Sequence, residues 1–166
     1  MSARKIIIDT DPGQDDAVAI LLALASPEDI DVLGITAVAG NVPLPLTQKN
    51  ARTICELANK AHVGVYAGCD RPLGRDLVTA EHVHGKTGLN GPDLADPTMP
   101  LQDTHAVDYI IDTLERQLFD EWSLAKEHKN REEIFSELLG MKRFFRRLRA
   151  IADNAQLDNY KSRKDG

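Results

Sequence analysis

Ile6-Ile7-Ile8-Asp9-Thr10-Asp11-Pro12-Gly13-Gln14-Asp15-Asp16-Ala17 is the stretch that decides the fold. An apolar triplet runs straight into an acidic turn, and the apolar series that follows, Ala17 to Ala25, predicts a helix beginning at Asp15-Asp16 and stopped by Ser26-Pro27. Asp9, Asp11, Asp15 and Asp16 put four carboxylates within eight residues. Carboxylates held this close repel one another, and a shared hard cation removes the conflict. Oxygen-only donors suit Ca²⁺ or Mg²⁺, and Ca²⁺ accepts the looser geometry. A plainer reading also covers part of the stretch. Asp15 and Asp16 can act as cap and macrodipole partners of the helix. That reading leaves Asp9 and Asp11 at the carboxyl end of a strand, where open α/β sheets bind ligands.

Working outward, the elements alternate. Lys5 to Ile8 reads as a first strand, Asp31 to Val38 as a second and Val63 to Ala67 as a third. Between the last two lies a helix over Leu46 to Asn59, with Ile54, Leu57 and Ala58 on one face. The β-α-β-α-β order predicts a parallel sheet with right-handed crossovers. A Gly- and Pro-rich loop, Gly68 to Asp103, follows, and loops of that length usually serve a function. A further helix starts near Thr104 and carries Val107, Ile110, Ile111 and Leu114.

Composition sets limits. The 166 residues suit one domain, or one domain with an appendage, and a hydrophobic fraction of 42% is enough for a core. No apolar run of eighteen residues is present, so no membrane span is expected. Met1 to Lys5 leads directly into a strand without the apolar region of a signal peptide, which predicts a cytoplasmic protein. Cys55 and Cys69 lack metal-ligand spacing; Cys55 falls in a helical pattern and reads as a small core residue.

The segments from Asp9 to Ala17 together resemble the amino-terminal signature of the inosine-uridine nucleoside hydrolases (nucleoside N-ribohydrolases), D-x-D-P-G-x-D-D-A. The agreement continues in order through Ile35-Thr36-Ala37-Val38-Ala39-Gly40-Asn41, Ala67-Gly68-Cys69-Asp70-Arg71-Pro72-Leu73, His82-Val83-His84-Gly85-Lys86-Thr87-Gly88-Leu89 and His105-Ala106-Val107. It covers roughly residues 4 to 117. The resemblance implies a Rossmann-like α/β core with a parallel sheet, truncated here and carrying a C-terminal helical extension. It implies Ca²⁺-dependent hydrolysis of the N-glycosidic bond of ribonucleosides, giving ribose and free base, a chemistry of purine and pyrimidine salvage.

By that resemblance Asp11 is the general base and also touches the metal. Asp16 binds Ca²⁺ through both oxygens, and Asp9 is a ligand or an acceptor beside it. Asp15 contacts ribose hydroxyls, Asn41 helps hold the ribose, and His84 lies near the base-binding end. Read without the resemblance, Gly40-Asn41 is an ordinary turn pair. His82 and His84 alternate, so on an extended segment they share one side. Two histidines at that spacing can bind zinc, but no Cys or third His lies in the same segment. His105 reads as structural.

Beyond about Gln117 the resemblance stops, and the later family segments that complete the metal site and the ribose clamp have no counterpart. Residues 118–157 read as a helical extension and 158–166 as a disordered tail. Residues 1–125 carry a net charge of −10, whereas residues 126–166 carry +4. Ile134, Leu138, Met141, Phe145 and Leu148 recur at helical spacing beside Lys142, Arg143, Arg146, Arg147 and Arg149. Two accounts of the break stay open, a disrupted hydrolase gene and a fusion with a helical interaction module. The alternative function is an inactive remnant, or a metal- or ribose-binding protein whose basic helix contacts a partner. The truncated sheet predicts an exposed edge and hence a homo-oligomer, or a partner that completes the sheet. Neither a membrane nor a nucleic acid is an expected partner.

Overall fold

The computed structural model describes residues 2–91 and 94–124, with isolated positions 136, 139, 140 and 143. The apolar stripe through Ile134, Leu138, Met141, Phe145 and Leu148, and the expected tail at 158–166, lie outside the described residues. The chain divides into two compact units, Met1–Ala106 and Val107–Gly166.

In the first unit, β1 (Arg4–Thr10), α1 (Gln14–Leu24), β2 (Ile30–Ala37), α2 (Leu44–Leu57) and β3 (Val65–Ala67) follow one another, then α3 (Glu81–His84). The three strands form a parallel sheet in the order β1-β2-β3. Both crossovers step in the same direction, and right-handed connections then place α1 and α2 side by side on one face. The first strand is longer than the apolar triplet alone indicates, because its pairing with β2 begins at Arg4↔Ile30 and runs to Thr10↔Ala37. The register shifts between Ile6 and Ile7, where Leu33 of β2 is the extra residue of a bulge. The third strand is shorter than expected: ladder pairing starts at Val65, while Val63 is buried just before it.

The core joins Ile20 and Leu24 of α1, Ile35 of β2, Ala51, Ile54 and Cys55 of α2, and Val63, Val65 and Met99. Helix α2 starts two residues before the expected Leu46, with Pro43 at its N-cap and Pro45 in its first turn, where the ring presets a helical φ and the missing N–H is not needed. The long segment after β3 is tied down. Tyr66 bridges Gln102, and Glu56 of α2 accepts the backbone N–H groups of Thr98 and Met99. Arg52 donates to the Met99 carbonyl, and Lys49 pairs with Asp96.

Helix α4 (Ala106–Leu124), all but its first residue in the second unit, is 19 residues long and begins just after the expected Thr104. Among the described residues no helix is long and apolar enough to cross a membrane.

Candidate active site

The acidic turn sits at the carboxyl end of β1, between the last ladder pair and the first turn of α1. Each carboxylate there has a defined place. Asp9, still on β1, accepts the hydroxyl of Thr36 on the neighbouring strand at 2.6 Å. Asp11 accepts the backbone N–H of Asn41 at 2.6 Å. Asp16 is held through both oxygens: Oδ1 accepts the Thr10 hydroxyl at 2.7 Å, and Oδ2 accepts the Gly13 N–H at 3.1 Å and the Asn41 side-chain amide at 3.3 Å. The Gly13–Asp16 bond is half of a capping box, so the capping reading of Asp16 is realised alongside its place in the site. Asp15 points to solvent, its side chain 81% exposed.

Asn41 is the hub. Besides its bonds to Asp11 and Asp16, its side chain donates to the Asp11 carbonyl at 3.0 Å, and its own carbonyl accepts the Ala80 N–H at 2.8 Å. The end of β2 turns at Gly40-Asn41 so that a single asparagine grips the acidic loop. The fit is close: a Cβ on Gly40 would lie 2.0 Å from Asp11 Oδ2.

His84 is brought into this site and His82 is not. The segment is helical, not extended, so the expectation that the two histidines share a side is corrected. Residues two apart on a helix point in nearly opposite directions. His82 faces solvent, while the His84 side chain is 15% exposed and its ring lies over Gly13. A Cβ on Gly13 would come within 2.6 Å of His84 Nδ1 and 2.9 Å of Asn41 Nδ2. His84 Nδ1 is buried and has no hydrogen-bond partner among the described residues, with Asp15 Oδ1 at 3.8 Å.

Three supports were not recognised in the sequence. Thr10 and Thr36 look like ordinary β-branched strand residues, yet their hydroxyls hold Asp16 and Asp9. Asn50 is buried within α2 and donates to the carbonyls of Pro12 at 3.1 Å and Thr87 at 2.8 Å. It ties the acidic turn to the loop after α3. Gly88 makes that approach possible: its φ is +82°, and a Cβ would lie 2.8 Å from Asn50 Nδ2. A signal for Asn50 was present, since it falls on the same helical face as Thr47 and Ile54, a polar residue at a core position.

The donor set suits a hard cation in kind, because it is all oxygen and because Asp11 and Asp16 both meet Asn41. It is a partial set. Among the described residues no three His, Cys, Asp or Glu side chains are gathered closely enough to hold a metal ion.

The family profile described as inosine-uridine preferring nucleoside hydrolase matches residues 6–126. The chain belongs to this nucleoside hydrolase family. An uncharacterised protein of Schizosaccharomyces pombe is 56% identical over 110 residues, 66% of this chain and 35% of that protein. A pyrimidine-specific ribonucleoside hydrolase of Escherichia coli is 49% identical over 114 residues, 69% of this chain and 36% of that protein. Among solved structures, a purine-preferring ribonucleoside hydrolase from Gardnerella vaginalis superposes with a TM-score of 0.63 at 34% identity, over 68% of this chain and 36% of that one. A plant nucleoside hydrolase gives 0.61 at 34% identity, over 77% and 44%. The α/β fold with a parallel sheet is thus the nucleoside hydrolase fold, and the chain spans about a third of the length of the curated relatives it matches.

Proposed function

We propose that this chain carries the amino-terminal half of a ribonucleoside-hydrolysing site. The observation that supports this best is the joint grip of Asn41 on Asp11 and Asp16 at the end of β1, in a member of the nucleoside hydrolase family. In the reaction a water attacks the anomeric carbon of the ribose, and the bond from that carbon to the base nitrogen breaks. Asp11 takes a proton from the water, the electron pair of the broken bond leaves with the base, and the base takes up a proton. Positive charge grows on the sugar as the bond lengthens, and the fixed carboxylates of the turn stabilise it.

Ca²⁺ belongs to the same proposal, with Asp9, Asp11 and Asp16 as residues that would each contribute oxygens to it and not as a complete set, since no three such side chains are gathered closely enough among the described residues. When bound, such an ion lowers the pKa of a coordinated water and orients it. Asp15, at the solvent edge, reaches the ribose hydroxyls. Asn41 positions the two aspartates and borders the ribose, and the half-buried face of His84 borders the base end.

A second reading, binding of metal or ribose without turnover, is favoured by one observation: the ligand set among the described residues is incomplete. Loss of one well-placed electrostatic contact costs on the order of a hundredfold in rate or more, so the isolated chain is expected to turn over very slowly unless a partner completes the site. The two readings separate in one experiment. Release of free base from inosine and uridine is followed with Ca²⁺ and with chelator, for the chain alone and with the family's remaining segment supplied in trans, beside Asp11→Asn. Ca²⁺-dependent release that the variant loses supports hydrolysis. Absence of Asp11-dependent release in both settings leaves the binding reading.

A further inference from the structure

We propose that the cavity between helix α2 and the chain after α3 binds a phosphate monoester that carries a small ring. The assignment does not rest on the hydrolytic reading, because none of the carboxylates of the acidic turn lines this cavity.

One wall is a helical stripe. Leu46, Lys49, Asn50 and Thr53 follow one another on α2 at the spacing that keeps residues on one face of a helix. The adjacent face, with Ala51, Ile54 and Cys55, belongs to the core. Lys86, Leu89 and Leu94, from the chain after α3, line the same cavity. Its volume is about 410 Å³, within the range of small-molecule sites and larger than a bare phosphate ion needs.

The charge selects an anion. Residues 1–125 carry a net charge of −10, yet two of the four lysines among them, Lys49 and Lys86, line this one cavity. Lys86 is exposed and makes no ion pair among the described residues. Lys49 pairs with Asp96, whose side chain is 84% exposed. A pair that open to solvent holds weakly and yields to a better anion.

Thr53 is an independent sign. It is 7% exposed and lines the cavity, and its hydroxyl has no hydrogen-bond partner among the described residues. Buried polar side chains nearly always have one, so this hydroxyl is a donor kept for an occupant. A phosphate monoester brings about −1.5 to −2 of charge and three acceptor oxygens, which two ammonium groups and a hydroxyl match better than they match a carboxylate. Leu46, Leu89 and Leu94 form an apolar wall that a lone ion leaves unused and the ring of a sugar or base covers. Asn50 joins the cavity to the acidic turn, since it lines the one and donates to the Pro12 carbonyl of the other and to the Thr87 carbonyl. An occupant held by Lys86 steadies the neighbouring Thr87 against Asn50.

The test titrates the full chain, in calcium-free buffer, with inorganic phosphate, ribose 5-phosphate and uridine 5′-monophosphate, followed by calorimetry. At least one monoester is expected to bind more tightly than inorganic phosphate, and the tighter of the two identifies the ring. Lys86→Ala, at an exposed position that the fold does not need, is expected to weaken that binding about tenfold or more. Thr53→Val keeps the shape, removes the hydroxyl and is expected to weaken it several-fold. Asp96→Asn releases Lys49 and is expected to strengthen it. Asp11→Asn is expected to leave it unchanged. No binding by the unmodified chain overturns the proposal, as does binding that Lys86→Ala and Thr53→Val leave intact. So does inorganic phosphate that binds as tightly as both monoesters. Binding lost in Asp11→Asn also overturns it, because the monoester then occupies the acidic site.

Discussion

Asn41 holds Asp11 at two points: its backbone N–H reaches Oδ2 at 2.6 Å and its side-chain amide reaches the Asp11 carbonyl at 3.0 Å. This grip depends on the residue before it. A methyl group at Gly40 would stand 2.0 Å from Asp11 Oδ2, well inside van der Waals contact. Gly40→Ala is therefore expected to turn the Asp11 carboxylate away from Asn41 and to destabilise the fold by about 1–3 kcal/mol, the usual range for forced overpacking. Urea unfolding measures the stability, and Ca²⁺ titration measures the loss of the proposed metal site. An unchanged unfolding midpoint together with unchanged Ca²⁺ affinity would show that the turn yields freely and that Asp11 is not held as described.

Asn50 is expected to matter more for the shape of the site than its place in the middle of α2 indicates. Its side chain is buried and donates to the carbonyls of Pro12 and Thr87. Asn50→Ala leaves two carbonyls without that donor, at a cost of about 1–3 kcal/mol. Asn50→Asp is expected to cost more, because a carboxylate cannot donate and would face two carbonyl oxygens. If Asn50→Asp unfolds at the same denaturant concentration as Asn50→Ala, the two hydrogen bonds are not what the site rests on.

Much of this was legible from the chain, and the reason differs from place to place. The apolar triplet followed by the acidic turn announced strand, turn and helix, because period and composition change sharply at Asp9. The motif residues Asp9, Asp11, Asp15, Asp16 and Asn41 could be named because they are close in sequence or lie in short recognisable segments. The supports were harder, since each acts across a long interval: Thr36 on Asp9, Asn50 on Pro12 and His84 over Gly13. Nothing local in Thr36 distinguishes a hydroxyl that holds a carboxylate from one that merely fits a pleated strand. His84 was misread in one respect for the same reason. The four residues of α3 are too short for a helical period to show, so alternation suggested an extended segment.

The two cysteines are expected to differ in reactivity. Cys55 is buried in the core beside Glu56, and burial first, then that neighbouring charge, pushes its thiol from 9.0 to about 11. The thiolate is the reactive form. The two-unit rise lowers its population about a hundredfold at neutral pH, before access is considered. Cys69 lies outside the core and is half-exposed. Alkylation of the native chain followed by peptide mass analysis should label Cys69 first and Cys55 only on unfolding. Equal labelling rates would mean that the α2 face opens far more readily than its packing implies.

Glu56 predicts an acid-sensitive fastening. One of its oxygens accepts the Thr98 hydroxyl at 2.8 Å, the Thr98 N–H at 2.7 Å and the Met99 N–H at 2.6 Å. The Thr98 hydroxyl first, then the Met99 N–H, holds the carboxyl below its ordinary 4.5. A carboxyl depressed in the folded state contributes its stability above its unfolded pKa, and that contribution fades as pH falls toward and through the lower folded value. Met99 is a core residue, so the fastening bears on the seating of the segment against α2. Glu56→Gln removes the titration and keeps the shape. The stability difference between the native chain and this variant should be constant above about pH 5 and shrink steadily below it. A difference that stays constant down to pH 3 would show that the charge on Glu56 plays no part in holding Thr98 and Met99.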